Sequence, residues 1–307
     1  MILTDIYCKN IANAFKQAAY GKGCQVKIYQ IDESQRPLKE VPHDLISLLK
    51  GQTIVLNIIK AIPEEIPFRI KWIFAVEENK QIRCGHMPGI TESMMIDGPM
   101  NVDYDEIKAS AAALKQLLKD AETLHITSGE GTDITLGVKD RIFTDDALVE
   151  AGQMGNLPCG EVYCAPEEDK ANGVVVFNAC IGDIGLLNQP LKVTVHDGKI
   201  TMFESDDPGL VKKITSLSEV DDDAKIIGEI GIGINPGAHI TGNMLEDEKA
   251  IGTAHIAFGN NADFPGGGMN NSKIHRDYLF YHPSIEVNYT DKSSRLIINN
   301  GKFLFLY

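Results

Sequence analysis

The run "GGGMNNSKIHRDYLFY", residues 266–281, sets three glycines and two asparagines ahead of a stretch rich in β-favouring residues. The first half reads as a loop and "IHRDYLFY" as a strand. Side chains alternate along a strand, so His275 and Asp277 share one face while Ile274, Arg276 and Tyr278 take the other. One imidazole and one carboxylate then converge on one spot.

Working outward, most segments beyond residue 122 have the same texture. "TLHITSG", "DITLGV", "GEVYCAP", "GVVVFNA", "LKVTVHDGKITMF", "AKIIGEIGIGIN", "TAHIAFG" and "RLIINNGKFLF" all read as short strands. "VHDGKI" and "INNGKF" carry the Asp-Gly and Asn-Gly signals of two-residue hairpins. Helices are expected at "GLVKKITSL" and around "MLEDEKAIG". The earlier part of the chain differs. A helical pattern over residues 3–20 (Ile6, Ile11, Ala14, Phe15, Ala18, Ala19) precedes a strand at "CQVKIYQI". A helix at "HDLISLLKG", an apolar strand at "QTIVLNIIK", a helix at "EEIPFRIKWIFAVEENK" and a strand at "QIRCGHMPG" follow. Alternating helices and apolar strands predict a parallel α/β sheet. After it comes the helix "YDEIKASAAALKQLLKDAE", with Ile107, Ala111, Leu114, Leu117 and Leu118 on one side. The fold class is therefore α/β plus α+β: a small N-terminal parallel α/β domain, residues 1–98, and a larger, mostly antiparallel β-rich C-terminal domain, residues 99–307.

A net charge of −14 over 307 residues, with no cluster of Lys and Arg, argues against a nucleic-acid or anionic-membrane partner and for a small peptide or other small molecule. No apolar run approaches the ~20 residues that span a bilayer, and "MILTDIYCKNIANAFKQAAYGKG" lacks a small-residue cleavage site, so a cytoplasmic location is expected. The six cysteines are scattered without a CxxC pair and read as reduced thiols. Cys159 and Cys164 flank Glu161 at a spacing that makes a poor metal motif.

Chemistry-bearing residues of the second domain fall in four strand or strand-end segments. Glu161 lies in "NLPCGEVY", Glu229 in "AKIIGEIGIGIN", His255 in "GTAHIAFGNN", and His275 with Asp277 in the opening stretch. A lone strand histidine is more often hydrogen-bonded within a fold than a ligand, and an acid beside a turn is usually a cap. Glu229 is harder to explain that way. It shares its strand face with Gly231 and Gly233, opposite Ile230, Ile232 and Ile234, and a carboxylate inside such a strand is costly unless paired. Two His and three carboxylates suit a binuclear site for Zn, Co or Mn that activates water near neutral pH. The subset His255, His275 and Asp277 equally suits the two-His-one-carboxylate triad of an Fe(II) oxygenase. Glu246, Asp247 and Glu248 read as acids decorating a helix N-terminal turn. Thr132 and Asp133 read as partners of a ligating imidazole or as a turn.

The phrases "ITSGEGTDIT" (126–135), "GNLPCGEVYCAP" (155–166), "GEIGIGINP" (228–236), "LEDEKAIGTAHIAFGN" (245–260) and "GGGMNNSKIHRD" (266–277) occur in the same order in a known family. The sequence resembles the metallo-aminopeptidases of the aminopeptidase T and aminopeptidase S type, mainly over the second domain, with a looser match at "GHMPGIT" (85–91). The resemblance implies that Glu161, Glu229, His255, His275 and Asp277 bind metal, two divalent ions per chain, with Glu229 as bridge. It also implies a site tyrosine seven residues beyond His255, where this chain has Ala262. His86 would be either a base or substrate anchor, or a loop histidine. The chain is similar too to the 2,5-dihydroxypyridine dioxygenases, whose resemblance implies one Fe(II) on His255, His275 and Asp277; a degenerate metal-binding relative is the third reading. A homodimer is compatible with the exposed sheet edges and with the family.

Overall fold

The structure, a computed structural model, describes residues 1–305. The chain divides into two compact units, Met1–Asn101 with Leu148–Cys159, and Val102–Ala147 with Gly160 onward.

The first unit is built on an all-parallel five-stranded sheet in the order Ile28–Gln30, Ile2–Thr4, Ile54–Ile59, Arg83–Pro88, Met154–Asn156. Parallel neighbours need crossover connections, and the helices Lys9–Gly21 and Ile66–Glu77 supply them. Leu3, Val55, Ile59, Phe68, Trp72 and Val76 form the core. The helix expected from residue 3 starts only at Lys9, because Ile2–Thr4 is a buried central strand and Ile6 is left exposed. Asp5 makes the turn between them by accepting the Tyr7 and Cys8 N–H groups. The sequence reading also treated 99–307 as one continuous body. In the structure Met154–Asn156 pairs beside Arg83–Pro88 and returns residues 148–159 to the first unit. A three-residue strand is too short to show a period.

The second unit consists of two antiparallel sheets. One has eight strands in the order Lys199–Glu204, Leu191–His196, Ala171–Phe177, Asp133–Gly137, Ala121–Thr127, Ser284–Tyr289, Ser294–Asn299, Lys302–Phe303. The other has seven, in the order Gly185–Leu186, Cys180–Ile181, His275–Tyr281, Thr253–Gly259, Ile227–Gly233, Glu161–Cys164, Thr144–Asp145. Phe177 of the first packs on Tyr278 and Phe280 of the second, with ring centroids 5.1 and 6.0 Å apart. Both hairpin signals hold. Asp197 and Gly198 have φ of 46° and 74°, and Asn300 and Gly301 of 48° and 75°, the positive pair that a type I′ turn requires. Among the described residues no disulfide joins any of the six cysteines. Among the described residues no helix is long and apolar enough to cross a membrane.

Arg36 ties the first unit together, reaching Asp5 at 2.9 Å and Glu65 at 2.6 Å, both wholly buried. Burial pushes the Glu65 carboxyl up, but hydrogen bonds from Arg36 and the Leu38 N–H outweigh it and hold it below its ordinary value. The unfolded chain therefore binds a proton at Glu65 more readily than the folded one. The resulting stability is whole above the unfolded-state value of about 4.3 and is lost as pH falls through the lowered folded value. Arg36→Ala should cost about 3 kcal/mol in urea unfolding at pH 7, since it strands two buried carboxylates. The difference from wild type should shrink in acid; a difference independent of pH would contradict this account.

Candidate metal centre

The seven-stranded sheet has two unlike faces, and the ladder register shows why. On one, Ile230 lies opposite Ile256, which lies opposite Tyr278, while Ile232 lies opposite Ala254, which lies opposite Phe280. This is the apolar face that meets Phe177. On the other, Glu161 lies opposite Gly233; Tyr163, Gly231 and His255 form the next row; Glu229, Ala257 and Asp277 form the third; and Gly259 with His275 closes the series. All five residues singled out in the sequence thus stand on one face of four adjacent strands.

The small residues between them are the second half of the design. A Cβ on Gly231 would sit 2.1 Å from Cε1 and Nε2 of His255, so the imidazole lies flat over that glycine. The loop before His275 is pinned by asparagines. Asn261 Nδ2 donates to Glu168 and to Gly228 O, Asn261 Oδ1 accepts the Asn270 N–H, and Asn270 Nδ2 donates to Asp223 O and Ile226 O. This fixes the Asn260 carbonyl, which accepts the Nδ1–H of His275 at 2.7 Å. With Nδ1 committed, the neutral ring points the Nε2 lone pair into the site, as outer partners do for metal-ligating histidines.

His275 Nε2 lies 3.0 Å from Glu229 Oε2 and 3.2 Å from Asp277 Oδ1; His255 Nε2 lies 3.3 Å from Glu161 Oε2 and 3.5 Å from Glu229 Oε1. Among the described residues the donor atoms fall into two groups, each within 4.8 Å: Glu161, Glu229 and His255, and Glu229, His275 and Asp277. Glu229 belongs to both. Glu161 Oε2 and Asp277 Oδ1 are buried and accept no hydrogen bond, although an imidazole nitrogen is near each. Buried carboxylate oxygens are rarely left so, and a cation beside them would complete them. The mixed N/O donor set fits a borderline divalent ion such as Zn, Co or Mn.

The electrostatics agree. Burial pushes Glu161 well up despite Lys249. Burial opposes ionisation of Glu229 and Asp277 as well, but the two imidazoles outweigh it, leaving Glu229 below its ordinary value and Asp277 at about 2. Reciprocally, His255 rises to about 9 against its own burial, and His275 rises well above the usual imidazole range. The pocket holds a strongly negative potential that attracts positive charge.

Several residues escaped the sequence reading. Lys249, completely buried, reaches Glu161 Oε1 at 2.5 Å, Glu248 at 2.7 Å and Asp146 at 3.0 Å. Asp146 accepts the N–H groups of Gly160 and Glu161. Tyr163 shares the site face, its ring 5.4 Å from Phe264, which lies 5.7 Å from His275. The signal for Lys249 was an apolar context downstream of three acids, "EDEKAIG", which looks like a solvated helix start. Glu246 and Asp247 lie in the first turn of the helix Met244–Asp247, as expected, but are buried there and accept the N–H groups of His239, Thr241 and Gly242. Neither Thr132 nor Asp133 touches a site imidazole: Thr132 Oγ1 accepts the Val176 N–H, and Asp133 pairs with His125 at 2.9 Å. His86 is a buried partner of Asn57 within the first unit, 3.2 Å between Nδ1 and Nδ2, and burial pushes its pKa down to about 3.

Fold and donor set together define a protein with a carboxylate-and-imidazole centre, fitted for divalent metal, on one face of a β-sandwich. The profile of the thermophilic metalloprotease (M29) family matches residues 86–303, more than two thirds of the chain, and the chain belongs to that family. Aminopeptidase PepS of Streptococcus thermophilus is 26% identical over 224 residues, 65% of this chain and 52% of that protein. Aminopeptidase AmpS of Bacillus subtilis (strain 168) is 25% identical over 200 residues, 57% and 48% of the two chains. The chain spans about half the length of the curated relatives it matches. Two solved structures share the fold over 99% of this chain. The 2,5-dihydroxypyridine dioxygenase of Pseudomonas putida KT2440 has a TM-score of 0.74 at 17% identity over 91% of its chain, and wild-type AmpT of Thermus thermophilus 0.67 at 16% over 93%.

Gly231→Ala should drive a methyl into the His255 ring. The expected outcome is a folded protein, by circular dichroism, whose metal affinity drops at least tenfold; unchanged affinity would show that the ring can move aside without loss.

Proposed function

We propose that this protein is a metal-dependent aminopeptidase that removes the N-terminal residue of a small peptide, with two divalent ions held by Glu161, Glu229, His255, His275 and Asp277. The observation that carries the reading is the pair of donor groups sharing Glu229, with buried carboxylate oxygens left unpartnered in both. Charge supports two ions rather than one. Five carboxylates (Asp146, Glu161, Glu229, Glu248, Asp277) against the single ammonium of Lys249 leave four negative charges, which is what two divalent ions carry.

When bound, such ions polarise a carbonyl and make water acidic near neutral pH. The chain's own residues do the rest. Glu229 offers one oxygen to each group, Oε1 toward His255 and Oε2 toward His275, so one carboxylate would serve both. Asn260 keeps His275 in the tautomer that presents Nε2. A carboxylate of the site would meet the protonated α-amino group of a peptide, which favours a free N-terminus over an internal bond. Ala262 carries no hydroxyl. Tyr163, in the same row of the site face as Gly231 and His255, is the tyrosine assigned here as donor toward a developing oxyanion.

The dioxygenase reading needs His255, His275 and Asp277 to act as one set. Among the described residues these three do not form a converging group, and Glu229 intervenes in both groups that do.

Metal analysis of protein purified without air is expected to give about two equivalents of Zn, Co or Mn, with hydrolysis of aminoacyl amides abolished by a chelator. Glu161→Ala and Asp277→Ala should each lose metal and activity together. One equivalent of iron, retained by Glu161→Ala and accompanied by oxygen uptake with an aromatic diol, would replace the peptidase by the dioxygenase. Tyr163→Phe should lower kcat on the order of 10²-fold with metal content intact, the loss typical of an oxyanion donor; wild-type kcat in that variant would remove Tyr163 from the reaction.

A further inference from the structure

Lys249 enters the reading above only as a charge, yet it is the only fully buried lysine among the described residues and is bracketed by three carboxylates. A buried ammonium is tolerated only when fully paired. This one is paired in a particular way. It takes Oε1 of Glu161 at 2.5 Å and leaves Oε2, which accepts no hydrogen bond, turned toward His255. Behind it, Asp146 holds Oδ2 3.0 Å from the Lys249 ammonium as an ion pair without a hydrogen bond, and accepts the N–H groups of Gly160 and Glu161 through Oδ1. Lys249 and Asp146 therefore grip both the side chain and the backbone of Glu161 at the start of its strand. Among the described residues no lysine or arginine pairs with Asp277: Arg276, its neighbour, turns to the opposite face and pairs with Asp183.

We infer that Lys249 is a positioning residue that restricts Glu161 to a single inward oxygen and thereby sets the affinity of the Glu161–Glu229–His255 half of the centre, leaving the Glu229–His275–Asp277 half to its own ligands. The inference rests on the proposed two-ion site. It follows that the halves are unequal in what supports them. The second half has its imidazole fixed by Asn260, whereas His255 Nδ1 is buried without a partner, so the first half depends on Glu161 being held.

The test is a Co(II) titration followed by visible absorption, with a chelator competition for each step, on wild type, Lys249→Gln, Lys249→Arg and Asp277→Asn, each checked by thermal unfolding. Two steps are expected for wild type. Lys249→Gln should weaken one step at least tenfold and leave the other within twofold, Asp277→Asn should weaken the other, and Lys249→Arg, which keeps the charge, should recover part of the loss. Two unchanged steps in a folded Lys249→Gln would overturn the inference while leaving the two-ion reading intact, and so would equal weakening of both steps. A wild type with a single step would overturn the two-ion reading. In that case a step weakened by Lys249→Gln would still support the grip on Glu161, and an unaffected step would end both. If Lys249→Gln fails to fold, Asp146→Asn, which loosens the same grip from behind, takes its place with the same expected pattern.

Discussion

Negative charge confined to one buried strand face is the constraint on which the second unit depends. Glu161, Glu229 and Asp277 have side chains between 7 and 13% exposed, and the two imidazoles beside them present nitrogen toward oxygen. Such an arrangement is unfavourable in a low-dielectric interior unless cations complete it. The scaffold must therefore be stiff enough to keep like charges together. Four adjacent antiparallel strands provide that stiffness, because each residue of the face is held in register by pairing with a neighbouring strand, and on the opposite face Tyr278 and Phe280 pack against Phe177 of the second sheet.

Room for the charged groups comes from what is absent. Gly231, Gly233, Ala257 and Gly259 occupy the intervening positions of the face, and a side chain at Gly231 would collide with His255. The asparagines after the glycine-rich loop serve the same end from outside, since their side chains close the loop onto the sheet and bring the Asn260 carbonyl to His275. The fold is shared with a dioxygenase and with AmpT, so the fold by itself does not decide the chemistry.

Much of this was legible in the residues. The period-2 pattern of "IHRDYLFY" puts His275 and Asp277 together because alternation is a local property of an extended chain. The isoleucines around Glu229 mark it as a buried acid for the same reason. The two hairpins were legible because only glycine and asparagine or aspartate tolerate the left-handed backbone there. The misreadings share an origin. Ile2–Thr4 and Met154–Asn156 are strands only because neighbours pair with them, and three residues show no period. Glu246 and Asp247 look solvated at a helix start, but the 239–242 loop folds back to use their oxygens. Thr132 and Asp133 lie in a phrase that matches the family, yet their contacts are with Val176 and His125.

By itself the sequence determined which of the longer segments are strands, which residues share a face within each, and that a small parallel unit precedes a larger antiparallel one, because these follow from periodicity and turn chemistry along a short stretch of chain. Tertiary structure alone decided which strands become neighbours, and with it three things: that Glu229 lies between two donor groups, that Lys249 is buried against Glu161 across 88 residues of sequence, and that residues 148–159 rejoin the first unit. Those outcomes depend on register between distant strands and on burying charge in matched pairs. Both are set by the whole packed unit rather than by local residue preferences.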